Sequence, residues 1–555
     1  MHRALEIYDI IYAILQHLES STTDLVNVAM TCSKFSDPAL NILWCEQSSL
    51  APLIKCLPQD TWEAAHDGTI IFSREPLLAE WERVRINASR IRRLVSNFNH
   101  SCVKAPRPVL NFNDQRIRAL RLASNFNHSH VKAPPVLSGP VLRQLFALFP
   151  PARLFPNLFA LHFGAVSDLP EFRSNFLLLR QFFLLELETL EFNVPVDVPT
   201  SEVEQLLEAL PTEASGLREL SIMADNGLSA SRFIVPQLPK LNRLAIGEIH
   251  VGLMRRNIPN IQHSRFLQTL ELVLQGPFNM NNVSGHMPLE LNTLKYLFLI
   301  GTRLQDCTSF LLQVATIQLS TIDITYRTAA SPTKIAAFIK SLAASCRTSE
   351  FLTRISVVDN SPREPEWWAP QTPTELHSHI FRPLLKFRSL STVVFDNIGH
   401  YCLDDVFIED AALAWPGLRE LRFVSERFYS SAVTFAAVLS LASKCRSLRT
   451  LQLTFDATQF PTLPYAPDGT RELWPTQTAL HELHVAHSSV LRQSWLYLFL
   501  AVFFPNLAHL TWYDVLGDNY KWGKVKEVWE STVKHLKIRP AMVASWQDFL
   551  LQARP

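Results

Sequence analysis

The sequence predicts an α/β chain: a short all-helical unit at the amino end, then an irregular solenoid whose repeats each add one parallel strand. Three observations carry this. In the first fifty residues, apolar positions recur at steps of three and four, the spacing of one helix face. Between residues 158 and 512, a six-residue pattern with apolar first, fourth and sixth positions keeps returning. The chain has 555 residues, 47% of them hydrophobic. It is too long for one compact core, yet apolar enough to bury a core along an array.

The helical unit comes first. Ile7, Ile10, Ile11, Ile14, Leu15 and Leu18 form one apolar stripe. "SSTTD" then interrupts it with capping residues. A second helix carries Leu25, Val28, Ala29 and Cys32 on one face. A third, "KFSDPALNILW", is expected to hold Pro38 in its first turn and to present Leu40, Leu43 and Trp44. A unit this small cannot bury all these groups alone. Some of them are expected to face outward and be covered by a partner.

The strands follow. The pattern reads "LFALHF", "LETLEF", "LRELSI", "LNRLAI", "LQTLEL", "LKYLFL", "LSTIDI", "LTRISV", "LSTVVF", "LRELRF", "LRTLQL", "LHELHV" and "LAHLTW". Its second apolar positions run from Leu161 to Leu510 with a mean period of about 29 residues, at the upper edge of the leucine-rich range. The last four residues of each unit are expected to form a short strand with alternating side chains. The remainder returns on the outside, often as helix, as in "TFAAVLSLASKC". Cys346 and Cys445 end two such returns and are expected to be buried small groups.

In the first region, Leu5, the helix Ile10 to Leu18, Asp24-Leu25, Cys32, Phe35 and Leu43-Trp44 stand in an order that resembles an F-box. Tyr8 departs from the pattern, since close relatives carry Pro there. The resemblance covers about the first 45 residues. With the repeats behind it, the chain resembles the fungal-type F-box proteins with leucine-rich repeats, whose array is a horseshoe with parallel concave strands. The resemblance implies three parts: an F-box at 1–50; a linker with first irregular repeats at 51–150; and a leucine-rich repeat domain with a C-terminal cap at 151–555. It further implies that Leu5, Ile7, Ile11, Leu15, Leu18, Leu25, Val28, Phe35 and Trp44 bind a Skp-type adaptor, which links to a cullin ubiquitin ligase. The chain would then bring a protein target to a ubiquitin-charged enzyme, in the cytoplasm or nucleus. The alternative is a repeat scaffold acting outside any ligase, with the helices as a cap.

Within each strand, the residue between the last two apolar positions must face away from the core. In the late repeats these outward positions and their neighbours gather Arg354, Glu420, Arg422, His484, His509 and Tyr513, a composition suited to holding a protein target. Pro-rich insertions such as "SPREPEWWAPQTPTE", with Trp367 and Trp368, belong on the surface.

One feature does not fit the repeat. "SNFNHSCVKAPRPVL" at Ser96 and "SNFNHSHVKAPPVL" at Ser124 are near copies. They keep Asn, Phe, His and Lys, which no solenoid core requires. A local duplication inserted as a surface connector accounts for them. His128 and His130 are not expected to bind metal, since His130 corresponds to Cys102 in the first copy.

Lys+Arg 52 against Asp+Glu 51 leaves no basic excess, so neither a nucleic acid nor a membrane surface is an expected partner. The cluster Arg83, Arg85, Arg90, Arg92 and Arg93 is read as a solvated face. The eight cysteines form no C-x-x-C pair, and no zinc site or other cofactor is expected. No nucleotide-binding, zinc-protease or serine-hydrolase motif occurs, so the chain is not expected to be an enzyme. "HELH" at His481 to His484 has the wrong interval for a helical zinc pair.

Overall fold

The structure is a computed structural model. It describes residues 7–66, 68–97, 137–164, 176, 178–194, 198–224, 237–250, 261, 264–275, 289–361, 375–425, 431–458, 476–486, 488–490, 500 and 503–512. Leu5, Tyr513, both tryptophans of the Pro-rich insertion and the two near copies between residues 98 and 136 lie outside these residues. The chain divides into two compact units. One is Met1–Glu248 with Pro259–Leu267; the other is Ile249–Ile258 with Gln268–Pro555.

The first unit opens with three packed helices: α1 (Tyr8–Gln16), α2 (Thr22–Thr31) and α3 (Ser33–Cys45). The Ser21 hydroxyl caps α2 by accepting the Asp24 N–H at 3.4 Å. Ile11, Leu15, Leu25 and Ala39 form the core, with Leu18, Val28, Ala29, Phe35, Ile42 and Leu43 packed against it. Helix α3 starts at Ser33, and Pro38 is its sixth residue, in the second turn and not in the first as expected. There its missing N–H removes one helical hydrogen bond.

Helix α3 runs directly into the strand Glu46–Gln47, the first rung of a parallel ladder. Arg93–Asn97, Ala160–Gly164, Thr189–Val194, Glu219–Ala224 and Arg243–His250 follow in chain order, each parallel to the one before. Leu94, Leu161, Leu190, Leu220 and Leu244 lie in register and are buried.

The second unit repeats this construction. Its ladder runs Thr269–Gln275, Tyr296–Gly301, Thr321–Tyr326, Arg354–Asp359, Thr392–Asp396, Glu420–Val424, Thr450–Gln452, Glu482–His484 and His509–Thr511. Leu270, Leu297, Ile322, Ile355, Val393, Leu421, Leu451, Leu483 and Leu510 form one buried column. All thirteen strands expected from the repeat pattern are therefore present, counting both units. A recurring fork fixes the register. Two successive N–H groups at each strand entry share one carbonyl of the preceding rung: Ser320 and Thr321 on Lys295, Thr353 and Arg354 on Ser320, Ser391 and Thr392 on Thr353.

The returns include the helices Leu304–Leu311, Pro332–Ser345, Asp405–Ala414 and Phe435–Lys444. Cys307, Cys346 and Cys445 are buried among them. Burial pushes the Cys445 thiol up to about 11. Phe381, Phe395, Tyr401, Phe407 and Phe423 fill one stretch of core with edge-to-face and stacked rings 5.1–6.4 Å apart.

Candidate protein-interaction surfaces

Two surfaces follow from this construction. The first is the helical unit. Helix α1 carries two apolar stripes. Ile11, Leu15 and Leu18 turn into the unit's own core. Ile7, Ile10 and Ile14 turn out and are exposed, Ile7 by 51% and Ile14 by 49%. In α2, Leu25 is buried, whereas Val26 and Met30 are exposed, Met30 by 82%. The arrangement has a simple cause. Ile10-Ile11, Ile14-Leu15, Leu25-Val26 and Ala29-Met30 are apolar doublets, which make a stripe wider than one helix can bury against two neighbours.

The adaptor-contact set inferred from the sequence is thus divided. Ile7 is exposed. Leu18, Val28, Phe35 and Trp44 are half-buried. Ile11, Leu15 and Leu25 lie inside the unit. Those last three hold the helices together and present no surface. Ile10 and Ile14, placed in the first helix's single stripe but not in the contact set, and Val26 and Met30 are the outward residues, and the doublets are the signal that could have found them.

Tyr8, the departure from the family pattern, is engaged. Its hydroxyl accepts from Asn41 Nδ2 at 2.6 Å, and its ring stacks on Tyr12. Arg90 donates to Asn41 Oδ1 and to the Asp37 carbonyl, and pairs with the Asp37 carboxylate at 2.5 Å. Its side chain is only 15% exposed. So Arg90 is a clamp between α3 and the segment leading to the second rung, rather than part of a solvated face. Its neighbours Arg85 and Arg93 do pair at the surface, with Glu82 and Glu46.

The second surface is the outward face of the ladder in the second unit. Two adjacent rows cross it. One is Glu271, Phe298, Asp323, Ser356, Val394, Arg422, Gln452, His484 and Thr511. The other is Thr269, Tyr296, Thr321, Arg354, Thr392, Glu420, Thr450, Glu482 and His509. Register therefore brings Arg354, Glu420, Arg422, His484 and His509 onto two neighbouring rows. Arg354, Glu420, Arg422 and His484 are already engaged. Arg354 meets Asp323 at 3.3 Å. Arg422 donates to Gln452 Oε1 at 3.0 Å and lies 3.7 Å from Glu420. His484 Nδ1 accepts the Ala486 N–H at 3.1 Å.

The expectation that the central row faces solvent holds only in part. Phe298, Asp323, Ser356, Val394 and Gln452 are all buried, while Thr511 at the last rung is exposed. Parallel strands stand about 4.8 Å apart, so each side chain is covered by its in-register neighbours on both sides. Burial pushes the Asp323 carboxyl above its ordinary range, against the lowering pull of Arg354, and Glu420 adds to the rise. In the first unit, the same outward row holds a His162–Glu191 pair at 2.9 Å.

No helix among the described residues is long and apolar enough to cross a membrane. No family model matches the sequence, and no curated protein matches it. Among solved structures, one match is the crystal structure of the complex of Rad7 and Elc1 in yeast. It has 10% sequence identity and a TM-score of 0.28, and covers 70% of this chain and 87% of that one. A score that low carries no argument about this chain.

Proposed function

We propose that this chain is a non-catalytic substrate-recognition subunit of a Skp–cullin–F-box ubiquitin ligase, of the F-box and leucine-rich repeat family. The observation that carries this is the helical unit. It has a closed core of its own and a second, outward apolar stripe, within a sequence ordered like an F-box. Ile7, Ile10, Ile14, Val26 and Met30 dock the Skp-type adaptor, with Leu18, Val28, Phe35 and Trp44 at the margin. Full burial of an exposed Ile or Met is worth about 1.5–3 kcal/mol, and each outward Ile, about half exposed beforehand, adds roughly half of that when covered.

The repeats hold a protein target on the outward ladder face of the second unit, at Arg354, Glu420, Arg422, His484 and His509, with Tyr513 beyond the last rung. Catalysis belongs to the assembly, which raises the local concentration of target near the ubiquitin-charged enzyme. The working place is the cytoplasm or nucleus. Co-expression of the full chain with a Skp-type adaptor tests the proposal. A stoichiometric complex that survives gel filtration is expected. A chain that stays soluble, monodisperse and alone in the presence of the adaptor favours the second reading, a repeat scaffold whose helices serve as a cap. The closed core of Ile11, Leu15, Leu25 and Ala39 is what would make such a cap self-sufficient.

A further inference from the structure

The residue just before each strand offers the carbonyl that takes the fork of the next rung, so these residues stand in one column along the entry edge of the ladder. In the first unit Glu188 and Arg218 are neighbours in that column and pair at 3.5 Å. Opposite charges on adjacent rungs meet likewise at Glu46 and Arg93, at Glu219 and Arg243, and at Asp323 and Arg354. The second unit breaks the habit. There the Arg449 N–H donates to the Arg419 carbonyl at 2.7 Å, and the His481 N–H to the Arg449 carbonyl at 2.9 Å. Two arginines therefore stand side by side, about 4.8 Å apart at the backbone. Like charges in register destabilise a sheet.

A second column runs beside this one. The N–H groups of Leu390, Leu418 and Leu448 donate to the carbonyls of Phe387, Trp415 and Cys445 at 3.4, 3.0 and 3.1 Å. Arg388, Pro416 and Arg446 thus occupy one equivalent place in three successive rungs, as "FRSLST" and "CRSLRT" also show. Arg388, Arg419, Arg446 and Arg449 are all exposed. Arg446 is fixed by donating to the Thr476 carbonyl at 3.0 Å. Among the described residues, Arg388, Arg419 and Arg449 have no side-chain hydrogen bond or ion pair. Between Arg388 and Arg446 the middle rung carries only Pro416-Gly417, and a methyl group added at Gly417 would meet no atom within 4 Å. The matching Gly216 of the first unit is closed, since there the methyl would stand 2.2 Å from the Leu185 carbonyl oxygen.

The edge is therefore open and carries four guanidinium groups across three rungs, at a standing cost in repulsion. An anionic partner removes that cost. The arginines span two rung spacings, roughly 9.6 Å, which is too wide for one phosphate but suits carboxylates about 6.6 Å apart on one side of an extended chain. Glu420 and Glu482 lie in the next column and oppose a polyphosphate laid across both. A peptide can keep its acids to one side.

We propose that this entry edge docks a carboxylate-rich, extended segment of the protein target, with Arg388, Arg419, Arg446 and Arg449 as its ion-pair partners and its backbone over Gly417. The proposal rests on the reading of the second unit as the target-binding part and names the chemistry of that target.

The test is fluorescence anisotropy of full-length protein with a labelled peptide of alternating Glu and Ser, about twelve residues long. At low salt it is expected to bind roughly 10-fold or more tighter than its Gln-for-Glu counterpart, and to lose that margin at high salt. The double variant Arg419→Ser, Arg449→Ser loses roughly 10-fold. Gly417→Glu, which sets a carboxylate among the arginines, loses at least as much. Arg83→Ser, which removes an exposed arginine of the first unit, binds as the wild type does. Every variant is expected to melt no lower than the wild type. Equal affinity for the Glu and Gln peptides overturns the proposal, as does binding undiminished in Arg419→Ser, Arg449→Ser or lost in Arg83→Ser. Tighter binding of an oligothymidylate, or of the Gln peptide carrying one phosphoserine, overturns it by assigning the edge to phosphate. Loss of the Glu peptide in Arg422→Glu, His484→Glu but not in the edge variants also overturns it, and leaves the target-binding reading of the ladder face standing.

Discussion

In the N-terminal helices, the large side chains that point outward include Ile7, Ile10, Ile14, Val26 and Met30. On the ladder of the second unit, the outward positions hold Asp323, Ser356, Arg422, Gln452 and His484, and several of these are better buried than the isoleucines of α1. The inversion follows from construction. A strand in a parallel ladder has an in-register neighbour on each side, so even its outward residues are half covered, and polar ones must find partners there. A three-helix unit has no such neighbours. Once Ile11, Leu15, Leu25 and Ala39 meet, the second apolar stripe has nothing left within the unit to cover it. Stacking makes the ladder sufficient to itself, and the helices are left with surface to share.

The comparison breaks most visibly in the ladder core. Phe423 is fully buried and packs its ring on Phe381, Phe395 and Tyr401 at 5.2–5.5 Å. Phe423→Ala is expected to cost about 3–5 kcal/mol, read by urea unfolding. A change within a few tenths would mean that the rungs do not share one core.

Next in size is Leu25→Asp, which places a charge in the helical core. A loss of at least ~2 kcal/mol is expected, confined to the helices. Hydrogen exchange should lose protection over residues 8–45 while the strand Thr321–Tyr326 keeps it. Equal loss in both would show that the helical unit and the repeats unfold together.

Much of this was readable beforehand. The thirteen rungs announced themselves through apolar residues at the first, fourth and sixth positions of a recurring six-residue pattern, because an inward column tolerates little else. The two further rungs of the first unit did not. Glu46–Gln47 is too short for any period, and Arg93–Asn97 carries Ser96 where the pattern wants an apolar residue. A two-stranded side ladder, Glu375–His377 with His400–Cys402, was also hidden, since its pairs are brought together only by register. The candidate surfaces were half legible. Which residues share a row follows from spacing, but whether Asp323 or Gln452 is exposed depends on neighbours about 30 residues away in sequence.

A smaller effect sharpens the ladder side. Because burial raises the Asp323 pKa in the folded state, the stability this carboxyl contributes is present when it is protonated, below its ordinary value of 3.8. That contribution is lost as pH rises through the folded-state pKa. Asp323→Asn should therefore gain on the wild type as pH moves from acid to neutral, seen as a widening Tm difference. If the variant instead loses ground at neutral pH, the Arg354 ion pair outweighs the cost of burying the charge.

The central claim is that the helices keep one apolar stripe for themselves and offer the other to a Skp-type adaptor. Its most direct test is the affinity of purified adaptor for the full chain and for the double variant Ile10→Asp, Ile14→Asp, measured by calorimetry beside thermal unfolding of each. The account predicts a one-to-one complex with the wild type, a loss of at least ~100-fold in the variant, and an unchanged Tm, since both residues are exposed before binding. A variant that binds as tightly as the wild type, or a wild type that does not bind, contradicts it.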